Sequence, residues 1–123
     1  MSIPVDPSQL ETELERYGYS GFLLSVSDDC TSHVAHMTFR FDQGNLRCAV
    51  SRTAARNVEQ RPKVVVLWPP FESGGYSMIV DADCIVDEEE LCVTPTSGVL
   101  HRPANPSTQE GDHCEGDCAP LGS

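Results

Sequence analysis

The stretch Leu46–Val66, LRCAVSRTAARNVEQRPKVVV, changes its period twice and so decides the fold. Leu46, Cys48 and Val50 alternate with polar positions, as in a strand with one buried face. From Thr53 to Gln60 good helix formers take over, with Thr53 placed to cap and Pro62 forcing a stop. Lys63 to Trp68 is then a β-branched run, the pattern of a buried strand. A strand, a short helix and a second strand within so few residues predict a β protein whose helices serve as plugs.

Working outward, the same alternation recurs. Gly21–Ser27 reads as a strand and Asp28-Asp29 as its turn. In His33–Phe41, Val34, His36, Thr38 and Arg40 share one face, while Ala35, Met37, Phe39 and Phe41 share an apolar face directed to the core. Asp42-Gln43-Gly44-Asn45 connects a hairpin. Tyr76–Val86 is a long strand with Met78, Val80, Ala82 and Cys84 on one side, and an acidic turn follows at Asp87–Glu90. Leu91–Leu100 is the last strand, where Pro95 implies an edge or a bulge. Near the start, Asp6-Pro7 opens a helix carrying Leu10, Leu14 and Tyr17, and Gly18 ends it. The reading is mainly β: a six-stranded antiparallel barrel with short helices, occupying residues 1–100. Residues 101–123, rich in proline and acid, read as an extended tail.

Charge narrows the partners. The 123-residue chain carries 19 acidic and 8 basic residues, a net −11 at pH 7. Such a surface repels phosphate backbones and anionic lipid, so neither nucleic acid nor membrane is expected as a partner. The absence of a basic, apolar leader and the six cysteines together predict reduced thiols and a cytoplasmic setting. Against this background the basic residues concentrate. Arg40, Arg47, Arg52, Arg56, Arg61 and Lys63 all fall between positions 40 and 63. Ser51–Asn57 leaves a strand and opens a helix, where free N–H groups and the helix dipole favour an anion. Ser51 and Thr53 add hydroxyls, and Arg52 and Arg56 add guanidinium groups suited to phosphate. An ordinary capped helix with surface arginines has the same sequence signature, so the motif alone leaves both readings open.

The string from Ser32 to Pro70 resembles the pyridoxamine 5′-phosphate oxidase-like, FMN-binding split β-barrel family. The likeness lies in His33–Phe41, Gly44–Val50, the turn Ser51–Asn57, and Val58 followed by Arg61-Pro62-Lys63-Val64. The later Gly75–Val86 strand with its acidic turn fits as well, and the likeness covers about residues 8–100. It implies a split barrel that works as a homodimer, with a flavin ring lying across the subunit interface. By position, Ser51, Arg52 and Arg56 would hold the phosphate, with Thr53 and Asn57 in the same turn. His36, Thr38 and Arg40 would flank the ribityl chain or ring, and Trp68 would lie near the site. FMN is the implied cofactor, with a deazaflavin or haem as alternatives, and the substrate would be a small molecule. The chain lacks the C-terminal arginine-and-tryptophan segment with which the true oxidases grip pyridoxal, so that reaction is not expected. A non-catalytic split-barrel cofactor-binding or sensor dimer, whose Cys/His tail binds metal, is the alternative function.

A second candidate lies in the tail, where His113, Cys114 and Cys118 are of metal-ligating type. Zinc would require a further ligand from His101, an upstream cysteine or another subunit. An acidic tail with two uncommitted thiols, or a disulfide, is the expected reading of that segment over a zinc site.

Overall fold

The structure, a computed structural model, describes residues 2–104. Eight strands form one sheet: β1 (Ser2–Val5), β2 (Ser20–Val26), β3 (Ser32–Thr38), β4 (Arg40–Asp42), β5 (Asn45–Ala49), β6 (Lys63–Trp68), β7 (Ser77–Asp87) and β8 (Glu90–His101). The order β3-β2-β6-β7-β8-β5-β4 is antiparallel throughout, and β1 lies beside the second half of β8. Only Phe39 separates β3 from β4, so the two ends of this order meet through the chain itself and curl the sheet into a barrel. The Phe39 N–H donates to the Tyr19 carbonyl at 2.8 Å, and its ring lies 5.8 Å from that of Trp68 inside.

The strand count corrects the sequence reading of six. The expected His33–Phe41 strand is broken at Phe39, and the N-terminal β1 was missed. Around the barrel itself there are still six positions, because β3 and β4 occupy one of them in succession. The bulge implied by Pro95 is present. Asp81 pairs with Ser97 and Ala82 with Pro95, leaving Thr96 as the extra residue. Its hydroxyl donates to the Asp81 carbonyl at 3.1 Å.

Strand parity places the core as period-two patterning requires. Leu23, Leu46, Cys48, Val64, Val66, Trp68, Met78, Val80, Ala82, Cys84, Leu91 and Val93 are all buried within it. Two helices close it. The first, α1 (Leu10–Tyr17), follows a single 3-10 turn at Pro7–Gln9 and inserts Leu10 and Leu14. Asp6 and Gln9 form a reciprocal capping box, Asp6 accepting from the Ser8 N–H at 2.9 Å and Gln9 from the Asp6 N–H at 2.8 Å. The Tyr17 hydroxyl ties this helix to the start of β7 by donating to the Tyr76 carbonyl at 2.7 Å. The second, α2 (Arg52–Gln60), inserts Ala54, Asn57 and Val58. It joins β7 farther along, where the Cys84 N–H donates to the Pro62 carbonyl at 2.8 Å. Its cap is Ser51 rather than the expected Thr53: Ser51 Oγ accepts from the Ala54 N–H at 3.2 Å, so the helix begins earlier than its composition suggests.

Among the described residues no helix is long and apolar enough to cross a membrane. Cys48, Cys84 and Cys92 are buried as free thiols, whereas Cys30 is exposed in the β2–β3 turn. Burial pushes the Cys48 thiol up to about 11 and the Cys84 thiol up to about 12.

Candidate functional site at the start of helix α2

The site follows from an accounting of positive charge. All eight basic side chains lie among the described residues. Arg16 pairs with Glu13, Arg61 with Asp28 at 2.6 Å and Lys63 with Asp83 at 2.7 Å. Arg40 holds Glu90 at 2.6 Å, and Arg47 meets Asp42, Asp87 and Glu90 at 3.7, 2.8 and 3.4 Å. The Arg102 guanidinium sits 4.6 Å above the Tyr76 ring. Among the described residues, only the Arg52 and Arg56 side chains have neither an ion pair nor a ring contact. They are one turn apart on α2 and therefore neighbours on its surface. In a chain of net −11, two adjacent uncompensated cations at a helix N-terminus are unusual.

Beside them opens a cavity of about 380 Å³ lined by Ser27, Asp28, Asp29, Thr53, Arg56 and Asn57. Of the residues singled out from sequence, this cavity brings together Thr53, Arg56 and Asn57. Ser51 and Arg52 adjoin it along the chain without lining it. Asn57 is 4% exposed, and its side-chain amide donates to Ser25 Oγ, itself 1% exposed, at 3.0 Å. That amide thus holds the helix to the barrel wall.

The sequence marked Ser27 only as a strand end and Asp28-Asp29 only as a turn. The available signal was the strand-ending Ser-Asp-Asp run, but only the topology sets it against α2. The Ser27 hydroxyl and the Thr31 N–H both donate to Asp29, holding its carboxyl down to about 2, so it is ionised at any ordinary pH.

The remaining expected site residues lie apart from this cavity. His36 is on the outer face of β3, stacked on Phe22 with centroids 4.6 Å apart. Thr38 faces Ser20, hydroxyl to hydroxyl at 3.3 Å, and Arg40 is committed to Glu90. Trp68 is 1% exposed inside the barrel, so its ring offers no surface to a ligand outside. His113, Cys114 and Cys118 lie outside the described residues. Among the described residues no group of three or more His, Cys, Asp or Glu side chains is arranged to hold a metal ion.

A second, more apolar groove of about 360 Å³ lies farther back along β2, on the outer face of the sheet. Leu24, Val26 and Val65 line it, with Ser32, Lys63 and Thr96 among its polar members. Val26 of this groove directly precedes Ser27 of the first cavity in the chain, although the two share no lining residue. Unengaged guanidinium groups suit a phosphate, and an apolar floor suits a planar ring.

No protein-family model matches the sequence. Uncharacterized proteins from Mycobacterium bovis and Mycobacterium tuberculosis are each 37% identical over 71 residues, 51% of this chain and 50% of theirs. The chain thus matches about half the length of these curated relatives. Among solved structures, a Clostridium acetobutylicum protein related to general stress protein 26, of the pyridoxinephosphate oxidase family, superposes with TM-score 0.60 at 10% identity, covering 82% of this chain and 93% of that one. A FAD binding protein from Mycobacterium smegmatis gives TM-score 0.58 at 19% identity over 83% of this chain and 100% of that one. HutZ, the haem storage protein from Vibrio cholerae, gives 0.56 at 14% identity over 77% and 94%. The chain has the split-barrel fold of the pyridoxamine 5′-phosphate oxidase-like proteins.

Proposed function

We propose that this chain binds a flavin-type cofactor through its phosphate and serves as a small oxidoreductase acting on a small molecule. The observation that carries the proposal is the pair Arg52 and Arg56, unengaged on one face of α2 where every other basic side chain has a partner. The split-barrel fold, shared with a FAD binding protein, supports it. In this reading Arg52 and Arg56 hold phosphate oxygens. The Arg52 and Thr53 N–H groups at the start of α2 and the Thr53 hydroxyl complete the anchor. Leu24, Val26 and Val65 keep water from one face of the ring. The bound flavin supplies hydride chemistry, and the protein supplies position and polarity. FMN, a deazaflavin and FAD all satisfy this description.

The protein works as a homodimer in this proposal. The outer face of β2, β3 and β6 carries Phe22, Leu24, Val34, Val65 and Leu67, with Val34 54% exposed, and a second copy would cover it. Light scattering at micromolar concentration checks this, and a monomeric mass would overturn it. A cofactor carrier without turnover is the second reading, favoured by the commitment of nearly all charged strand residues to ion pairs.

The test is a titration with FMN and with riboflavin, read by flavin fluorescence. The double substitution Arg52→Ala, Arg56→Ala should weaken FMN by about tenfold to a hundredfold, the scale of lost charge-assisted hydrogen bonds, and leave riboflavin unchanged. Equal FMN affinity in the double variant defeats the phosphate assignment. Reduction of the bound flavin by a nicotinamide donor, with turnover, separates the enzyme from the carrier.

A further inference from the structure

We infer that Asp28 and Asp29 make the α2 cavity selective for a phosphate bearing one negative charge, as in a phosphodiester, over a phosphomonoester bearing two. The inference rests on the phosphate anchor proposed above and names the class of cofactor that anchor takes.

The cavity is not simply basic. Its walls bring one guanidinium, Arg56, opposite two carboxylates, Asp28 and Asp29. Asp28 is balanced by Arg61, 2.6 Å away. Asp29 is not balanced: its partners are a hydroxyl and a backbone N–H, both neutral. Counting Arg61 with its partner, the charges sum to zero around the recess. Arg52, one turn back, is the sole net positive contribution. Arg56 and Asp29 share the cavity, yet no ion pair joins them, so a space between them remains for a ligand.

A monoester phosphate carries a charge of about −1.5 to −2 at neutral pH, whereas each phosphate of a diester carries one. The first negative charge is matched by Arg52 and Arg56 against Asp29. The second finds no counter-charge and faces the Asp29 carboxylate. At separations of several ångströms near a protein surface this repulsion corresponds to about tenfold in affinity. Asp28 contributes less, because Arg61 neutralises it.

Three probes with one ring system test this: riboflavin, FMN and riboflavin 4′,5′-cyclic phosphate. FMN is the monoester with nearly two negative charges, while the cyclic phosphate is a diester with one. The wild-type protein should bind the cyclic phosphate about tenfold more tightly than FMN. Asp29→Asn keeps an acceptor for Ser27 and Thr31 and should tighten FMN by about the same factor, leaving riboflavin unchanged. Asp28→Asn, at a side chain 81% exposed, should tighten FMN by a smaller factor. Circular dichroism of each variant establishes that it is folded. FMN binding the wild type as tightly as the cyclic phosphate, or unchanged by Asp29→Asn, overturns the inference while leaving the phosphate anchor standing. Phosphorylated flavins binding no better than riboflavin overturns both.

Discussion

Replacing Asn57 by Ala separates a structural role from a ligand-binding one at the centre of the candidate site. Its amide donates to Ser25 Oγ at 3.0 Å, with the two residues 4% and 1% exposed. Truncation leaves the Ser25 hydroxyl without its donor in a dry environment, at a cost of about 1–3 kcal/mol. The void left by the amide adds about 1 kcal/mol. A loss near 2–4 kcal/mol is a large fraction of the roughly 5–15 kcal/mol available to a domain of this size. It corresponds to a fall in Tm of about 10–30 °C. Urea unfolding of wild type, Ser25→Ala, Asn57→Ala and the double variant measures it. Because the two side chains share one bond, the double variant should lose less than the sum of the singles, by about 1 kcal/mol. A loss in Asn57→Ala below about 0.5 kcal/mol, or strict additivity, would refute the reasoning and return Asn57 to the list of cofactor contacts.

Three further outcomes are expected. Gly21→Ala should destabilise by about 1–3 kcal/mol and shift the emission of the single tryptophan, because a Cβ there would meet the Trp68 ring at 3.0 Å and the Leu67 carbonyl at 3.1 Å; unchanged emission and stability would show that the ring moves aside freely. Asp29 is held below its ordinary value, so its contribution is complete above about pH 4 and is lost as the pH falls through about 2. The gap in urea midpoint between wild type and Asp29→Asn should therefore be constant at neutral pH and close in acid, and a gap that widens in acid contradicts this sign. Alkylation at pH 8 followed by peptide mapping should label Cys30 and spare Cys48 and Cys84, whose thiols are buried and pushed up to about 11 and about 12, until the protein is unfolded.

Much of the fold was legible because it is written in local periodicity. The Lys63–Trp68 run, the inward row Met78, Val80, Ala82 and Cys84, and Pro95 at the bulge each announce themselves within a few residues. The inward direction of Trp68 was legible too, since it follows Val64 and Val66 by parity. Family likeness alone had drawn it toward the site. What escaped depends on pairing across long separations. β1 is four residues with a proline and is defined only by β8, nearly a hundred positions away. The break at Phe39 interrupts no pattern, because Phe39 keeps the inward parity of Met37 and Phe41. At the site, the sequence marked a dense group of basic residues but could not show which were already committed. Arg40, Arg47, Arg61 and Lys63 find carboxylates on distant segments, and the two that remain stand out only after that subtraction.

The joint at Phe39 bears on how the barrel behaves as a mechanical object. A closed ladder distributes load over many backbone bonds, whereas here the seam between β3 and β5 is closed by one residue and the packing beneath it. The Phe39 ring, lodged beside Trp68, acts as a latch for that seam. Withdrawing it would open that line while the β2–β3 and β4–β5 ladders on either side stay paired.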